Sequence, residues 1–310
     1  MPNHHSTGST EKMGTNSRFE ASRDPSQFLC ARFQRALAHW NHQRLAPAFP
    51  AAGWQLGLDE ELRMQRLEGA FLEDLRGEIV ARAAEAPTDV DGFLAWFEDL
   101  QVTGPGQDDP LFPWLASEAG VEEFKYFLSQ EAAGEAGFED LTALSQVKVP
   151  ASAKMELANN YWDEMGRGNP KGMHGPMLDG LIAELELEAE IDDTVWESLA
   201  LANAMTGMAT NRRYAWHSIG ALGAIELTAP GRSRATADGL KRLGFGGKAR
   251  RYFELHAVLD VRHSEDWNAK VFAPLVAEDP RRATAFAEGA LIRLAAGARC
   301  FERYRRELWG

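Results

Sequence analysis

The segment Tyr252 to His263 carries the residues whose types and spacing best suit chemistry. At about 100° per residue in a helix, positions i, i+4 and i+7 fall on one stripe, so His256, Asp260 and His263 should point the same way. A buried carboxylate and two buried imidazoles without partners would be costly, and a metal ion that accepts all three removes that cost. A hydrogen-bonded His/Asp network is the competing interpretation of this segment.

Three further segments place acids on apolar helix faces. Glu131 stands at the centre of a face formed by Phe124, Phe127, Leu128 and Phe138, and Glu135 is the reserve candidate there. Glu164 precedes a glycine-rich break that can bring His174 back towards it. Glu226 is the only acidic residue in the apolar helical segment 215–230. His217 lies on the opposite face of that helix, which predicts a structural role and excludes it from the ligand set.

The predicted metal ligands are thus four carboxylates and three histidines, too many for one ion and suited to two: Glu131, Glu164, His174, Glu226, His256, Asp260 and His263. Oxygen and nitrogen ligands without thiolates favour iron or manganese over structural zinc or copper. Arg212 shares a helix side with Glu226 and could hold a substrate carboxylate, although an ordinary helix-pairing role is also consistent with its position.

These ligands need helices to position them, and helical periodicity dominates from residue 27 onward, without strand-like alternation. The pattern predicts an all-α protein with helices near 27–45, 58–84, 88–100, 118–145, 151–165, 175–188, 193–228, 236–243, 247–270 and 278–308. Residues 1–25 are interpreted as a disordered tail, 26–110 as an N-terminal helical arm, and 111–310 as the metal-binding helical bundle.

Composition excludes several function classes. The 310 residues carry a formal net charge of −13, which argues against nucleic acid and against anionic membrane surfaces as partners. The two cysteines, Cys30 and Cys300, match no zinc or redox spacing, and nothing indicates secretion, so we expect a cytoplasmic protein. The Glu-x-x-His pairs of ferritin-like bundles are absent, so we expect a different fold.

Residues 118–305 resemble the iron-containing redox enzyme family of heme-oxygenase-like diiron oxidases and oxygenases. The resemblance rests on Glu164 with His174 ten residues later, on Glu226 thirty residues before His256, and on the His256, Asp260 and His263 spacing. It implies a heme-oxygenase-like bundle, two Fe²⁺ ions at the named ligands with manganese open as a replacement, O2 as co-substrate, a small-molecule substrate and an external electron donor. The N-terminal arm lies outside the resemblance and could support a homodimer or cover the site.

Family members that hold a full ligand set hydroxylate amine nitrogens, and related members cleave C–C bonds. The resemblance therefore implies oxidation of a small organic substrate without naming it. Two alternatives stay open: a metal-independent enzyme on the same fold, either thiaminase-like or cofactor-processing, and a non-catalytic iron-binding protein.

Overall fold

The computed structural model describes residues 27–50, 52–134 and 137–310. Within these ranges the regular structure is helical, and the extended pairing is limited to one isolated bridge between Met165 and Met173. The prediction of an all-α protein is therefore confirmed. The predicted tail, residues 1–25, and the reserve candidate Glu135 lie outside the described residues.

Within the described ranges, the N-terminal part contains the helices α1 (Ala31–Leu45), α2 (Leu58–Ala83), α3 (Val90–Thr103) and α4 (Leu111–Ser117). The described residues that follow form the helices α5 (Val121–Gly134), α6 (Phe138–Ser145), α7 (Ala151–Glu164), α8 (His174–Leu185), α9 (Trp196–Thr210), α10 (Ala215–Arg242), α11 (Gly247–Trp267), α12 (Ala273–Glu278) and α13 (Arg281–Leu308). A π-helical turn, Asn268–Phe272, joins α11 to α12.

The long helix α10 lies at the centre of the bundle, where it packs against α11 on one side and α13 on the other. Close approach to α13 depends on two glycines, because a Cβ at Gly220 would lie 2.1 Å from the carbonyl oxygen of Phe286, and one at Gly289 would lie 1.9 Å from that of His217. The backbones therefore touch at this crossing, and α10 is held in a fixed position beside α11.

The N-terminal helices pack directly on this bundle. Helix α1 lies against α9, α2 against α13, and α3 against α12. An aromatic cluster joins Phe93 and Phe97 of α3 to Phe272 of the π-turn and Phe286 of α13, with ring centroids 4.7 Å apart for Phe97 and Phe272. The arm thus contributes to the hydrophobic core from which the site-bearing helices project.

Several predicted helix boundaries were wrong. The predicted helix 118–145 is two helices, because the chain turns at Gly137, whose φ is +73°. The predicted helix 193–228 is interrupted at Asn211, whose side chain accepts a hydrogen bond from the Arg213 amide and starts a new turn. The predicted break at Pro230 does not occur. Proline removes one intrahelical hydrogen bond, and the packing of α10 against its neighbours keeps the helix continuous.

Among the described residues, none of the helices is long and apolar enough to cross a membrane.

Candidate metal centre

Six of the seven predicted ligands form two groups of three in the interior of the bundle. Glu164, His174 and His256 make one group, and Glu226, Asp260 and His263 make the other. Within each group, one ligand atom of each residue lies within 4.8 Å of one ligand atom of the others. Five of the six residues are at most 3% exposed, and His256 is partly buried. Each group thus has the mixed carboxylate and imidazole chemistry that suits iron.

Helix α11 positions three of these residues, as their spacing predicts. Asp260 and His263 are buried, whereas Glu254, Arg262 and Glu265 lie on the exposed side of the same helix. The amphipathic pattern therefore directs the polar stripe inwards, towards α10 and α8, on which α11 packs.

A short glycine-rich connection brings Glu164 and His174 together. Glu164 ends α7, His174 begins α8, and Gly166, Arg167 and Gly168 between them all have positive φ. A Cβ at Gly166 would lie 2.3 Å from the carbonyl carbon of Gly172, so glycine is required at this position. The tight loop holds His174 Nδ1 2.6 Å from Glu164 Oε2.

Hydrogen bonds fix the orientation of the two histidines on α11. His256 Nδ1 lies 2.7 Å from the carbonyl oxygen of Tyr252, which can only accept, so Nδ1 carries the proton and Nε2 has a free lone pair. His263 Nε2 lies 3.1 Å from Asp163 Oδ2, so its Nδ1 is left to face Glu226 Oε2 at 3.4 Å. Such bonds to the outer nitrogen are the usual support of metal-binding histidines.

The carboxylate of Glu226 is also oriented. Its Oε1 accepts a hydrogen bond of 2.6 Å from Asn160 Nδ2, on α7. In α10, Pro230 lacks the amide that would otherwise bond to the backbone carbonyl of Glu226. The central helix therefore lacks one backbone hydrogen bond at Glu226, whose side chain is held by a neighbouring helix.

Two buried nitrogen atoms test whether a metal ion fits these groups. His174 Nδ1 and His263 Nδ1 are fully buried and make no hydrogen bond to any described residue, although each faces a carboxylate oxygen. Unsatisfied buried nitrogens are rare in proteins, and a cation between nitrogen and carboxylate would satisfy both. The donor set therefore fits metal ions in both groups.

The electrostatics of the centre agree with this fit. Burial, followed by the nearby Glu226, raises the pKa of Glu164 to about 9 and that of Asp260 well above its usual range. Burial lowers the pKa of His174 and of His256 to about 4. Burial opposes the charged form of His263 too, but Glu226 and Asp163 raise its pKa to about 9. Carboxylates are thus in excess of available positive charge, and divalent cations would stabilise their ionised forms.

The seventh predicted ligand, Glu131, falls in neither group. It lines the same cavity as Glu164 and Glu226, but its Oε1 accepts a hydrogen bond of 2.9 Å from the Tyr304 hydroxyl. Its assignment as a ligand stays a prediction.

Glu139 is an acid near the centre that the sequence analysis missed. It stands in the first turn of α6, lines a cavity with Glu164 and His174, and interacts electrostatically with both of them. A Cβ at Gly175 would lie 2.6 Å from Glu139 Oε1, so this glycine leaves room for the carboxylate. Periodicity within one continuous helix 118–145 could not identify Glu139, because the turn at Gly137 reorients the chain just before it.

Two other residues considered in the sequence have structural roles. His217 Nε2 lies 2.7 Å from Glu288 Oε2, which agrees with its predicted structural role. Arg212 binds the backbone carbonyls of Leu144, Ser145 and Val147 at the end of α6, so it stabilises a helix terminus and does not face the centre.

Comparisons with known proteins agree with this arrangement. No curated protein matches the sequence. The fold is similar to two crystal structures of a CADD-like protein of unknown function from Nostoc punctiforme, with TM-scores of 0.55 and 0.52 and sequence identities of 18% and 19%. The similarity covers 71% of this chain in both cases, and 99% and 96% of the respective neighbours.

A model of the family described as iron-containing redox enzyme matches residues 125–298, more than half of the chain. The matched range contains both ligand groups and the helices that carry them. It also confirms the heme-oxygenase-like fold that the family resemblance implied. The chain belongs to the iron-containing redox enzyme family.

Proposed function

We propose that the protein is a non-heme diiron oxidase or oxygenase, which activates O2 to oxidise a small organic substrate. The observation that carries this proposal is the presence of two ligand groups, Glu164–His174–His256 and Glu226–Asp260–His263, each of which contributes two residues to the wall of one cavity. Two divalent ions in one helical bundle, held by carboxylates and histidines, form an established type of oxidation centre.

Charge supports a count of two ions. Glu164, Glu226 and Asp260 contribute three negative charges when ionised, and Glu139 is placed to contribute a fourth. Four negative charges balance two Fe²⁺ ions, whereas a single divalent ion would leave a buried excess of carboxylate. We therefore propose Glu139 as the additional ligand beside the six grouped residues, in competition with the earlier candidate Glu131.

The protein supplies orientation and exclusion of water. His256 and His263 present fixed nitrogen atoms, and Asn160 holds Glu226. The cavity beside the ligands has apolar walls that include Leu128, Leu178, Ile225, Phe253 and Phe301, which keep water away from the reacting atoms. Two ferrous ions, when bound, would supply electrons for the reduction of O2 and open coordination positions at which it reacts. An external donor would return the ions to the ferrous state.

Anaerobic reconstitution with Fe²⁺ tests the proposal. We expect about two iron ions per chain, followed by O2 consumption and a change in optical absorbance when O2 is added. In Asp260→Ala and His256→Ala we expect the stoichiometry to fall and the O2-dependent absorbance to disappear, with the helical circular dichroism retained. Glu265→Gln, which alters an exposed acid on the same helix, is the matched control.

The possible outcomes separate the alternatives. Iron content that never exceeds a trace would contradict the proposal and favour a metal-independent enzyme on this fold. Full iron loading without O2 consumption under reducing conditions would favour a non-catalytic iron-binding protein.

A further inference from the structure

The cavity that four of the grouped residues line, Glu164, Glu226, His256 and Asp260, also contains a second set of charged residues. It has a volume of about 160 Å³, and its walls include Glu131, Arg232 and Arg293 as well as Glu226 and Asp260. Arg232 follows Glu226 by six residues on α10, which corresponds to roughly 9 Å along a helix axis. Two arginines in the wall of a buried cavity need an explanation, because buried charges are normally paired.

Arg232 is held in place without a carboxylate partner. Its guanidinium lies over the rings of Phe301 and Phe112, 4.7 and 5.7 Å from their centroids. Its Nη2 lies 3.5 Å from the carbonyl oxygen of Gly106. In the orientation of the Gln107 amide that satisfies both its oxygen and its nitrogen, the amide oxygen accepts a hydrogen bond of 2.7 Å from the same Nη2. These neutral partners orient the guanidinium and leave its charge uncompensated.

Arg293 has a buried nitrogen without a partner. Its Nη1 is inaccessible and makes no hydrogen bond to any described residue. Gly297, one turn later on α13, makes room for it, because a Cβ there would lie 2.8 Å from Nη1. This guanidinium has space around it and a donor that is not used, so it is a preformed binding site for an anion, which would accept the hydrogen bond.

The charges around this set do not cancel. In the described part of the chain, neither arginine forms an ion pair with a carboxylate within 4 Å. Glu131 interacts with both arginines over a longer range, and Asp109, which also interacts with Arg232, is paired with Arg305. With Glu131 ionised and the ligand carboxylates balanced by metal ions, the two guanidinium groups leave a net charge of +1. Burial raises the pKa of Glu131, and a neutral Glu131 would leave a larger positive charge. Burial and the proximity of Arg293 lower the pKa of Arg232, in agreement with an uncompensated cation.

We propose that Arg232 and Arg293 bind the carboxylate of the substrate, which is therefore a small carboxylic acid whose chain extends along the cavity towards the metal-binding groups. This inference rests on the proposed oxidase or oxygenase function. A monoanion neutralises the net charge of +1, and the planar guanidinium groups match a carboxylate in geometry. Leu128, Ile225 and Phe253 form apolar walls for the remaining chain.

Binding of simple probes tests the assignment without turnover. We would titrate hexanoate, hexanamide and hexylamine into the anaerobic ferrous protein by calorimetry. We expect binding of hexanoate at least about tenfold tighter than that of either other probe, since only hexanoate carries a negative charge that can pair with both arginines. This comparison uses the unaltered protein, so it does not depend on the folding of any variant.

Variants then locate the binding site. In Arg232→Gln and Arg293→Gln we expect the affinity for hexanoate to fall about tenfold or more, and in the corresponding lysine variants we expect a smaller loss. Arg251→Gln, an exposed arginine of α11, is the control. Equal binding of hexanoate and hexanamide, or unchanged affinity in both glutamine variants, would overturn the inference; the latter result would indicate that the carboxylate binds to iron.

Iron content, measured on the same samples, separates this inference from the proposed function. Normal iron loading with no preference for hexanoate contradicts the carboxylate site alone. A protein that binds hexanoate through both arginines but never loads iron contradicts the diiron proposal alone.

Discussion

The two histidines on α11 each form a hydrogen bond through the ring nitrogen that points away from the ligand groups. Asp163 Oδ2 lies against His263 Nε2, while Asp163 Oδ1 accepts a hydrogen bond of 2.5 Å from Arg167. Although burial opposes it, these two partners lower the pKa of Asp163 below its usual range, so the carboxylate stays ionised. An ionised Asp163 keeps a proton of His263 on Nε2, so Nδ1 is the nitrogen that a metal ion beside Glu226 would bind.

We therefore predict that Asp163→Ala weakens iron binding although Asp163 is not a ligand. The affinity of the Glu226–Asp260–His263 group should fall about 10- to 100-fold, as is typical when the support of a metal-binding histidine is removed. Competition with a chelator would measure this loss, and Asp140→Ala, an exposed acid on α6, is the control. Equal iron affinity in both variants would show that Asp163 does not orient His263.

We predict that Glu139→Ala loses iron from the Glu164–His174–His256 group, whereas Glu131→Ala keeps about two irons per chain. The physical reason is placement: Glu139 adjoins Glu164 and His174, whereas Glu131 is bonded to Tyr304. Iron analysis of both variants after anaerobic reconstitution would check this. Loss of iron in Glu131→Ala with full loading in Glu139→Ala would restore Glu131 as the ligand.

Residue types and spacing predicted part of the centre. The i, i+4, i+7 stripe of His256, Asp260 and His263 follows from helical geometry alone. The glycine-rich break after Glu164 also predicted the approach of His174, but the sequence does not reveal the three consecutive residues with positive φ that produce it. Arg232 and Arg293 escaped notice because each lies on an otherwise ordinary helix, and only the packing of α10 beside α13 brings them together.

At the scale of elements, the crossing of α10 and α13 is the tightest constraint on the site. Gly220 and Gly289 let these helices meet at backbone contact, and α10 carries both Glu226 and Arg232. Any added side chain would push α10 away from α13 and displace the ligand with it.

We predict that Gly220→Ala and Gly289→Ala each destabilise the protein by about 3 kcal/mol or more, because the new methyl group would meet a carbonyl oxygen. Gly231→Ala, on the same helix α10, should stabilise it by about 0.5–1 kcal/mol, since nothing lies within 4 Å of its Cβ. Urea unfolding would measure all three. Unchanged stability in the first two variants would mean that the helices can separate without cost.

Element existence was easier to predict than element boundaries. Strong amphipathic periodicity identified most helices, including α11 and α13. The short helix α4 and the turn at Gly137 were missed, and Pro230 was overrated as a helix terminator. The turn at Gly137 depends on a glycine with positive φ, whereas packing against neighbouring helices keeps α10 continuous through Pro230.

At the scale of the whole molecule, one buried ion-pair network ties the N-terminal helices to the bundle. Glu288 of α13 accepts hydrogen bonds from His217 of α10 and from Arg76 of α2. Burial of Glu288 opposes its ionisation, but these two partners lower its pKa to about 2. The arm, which sequence analysis set apart at residue 110, is thus bonded to the two helices at the centre of the fold.

We predict that Glu288 contributes to acid stability in a definite pH range. Its folded-state pKa of about 2 lies below the ordinary value of 4.5, so its contribution is complete above pH 4.5 and is lost as the pH falls towards 2. Glu288→Gln should cost roughly 2–3 kcal/mol at pH 6 and less at pH 3. Urea unfolding at both values, with exposed Glu302→Gln as control, tests this; a pH-independent difference would contradict it.

The separation of Glu226 from Arg232 along α10 also has a consequence for regiochemistry. If a carboxylate is anchored at one end of the cavity, the carbon nearest the ligands is set by counting from the carboxyl end. In a homologous series of straight-chain acids, the oxidised position should stay constant relative to the carboxyl group and shift relative to the terminal methyl. The distance along α10 between Arg232 and Glu226, which the rise per residue of the helix sets, would then determine which C–H bond reacts.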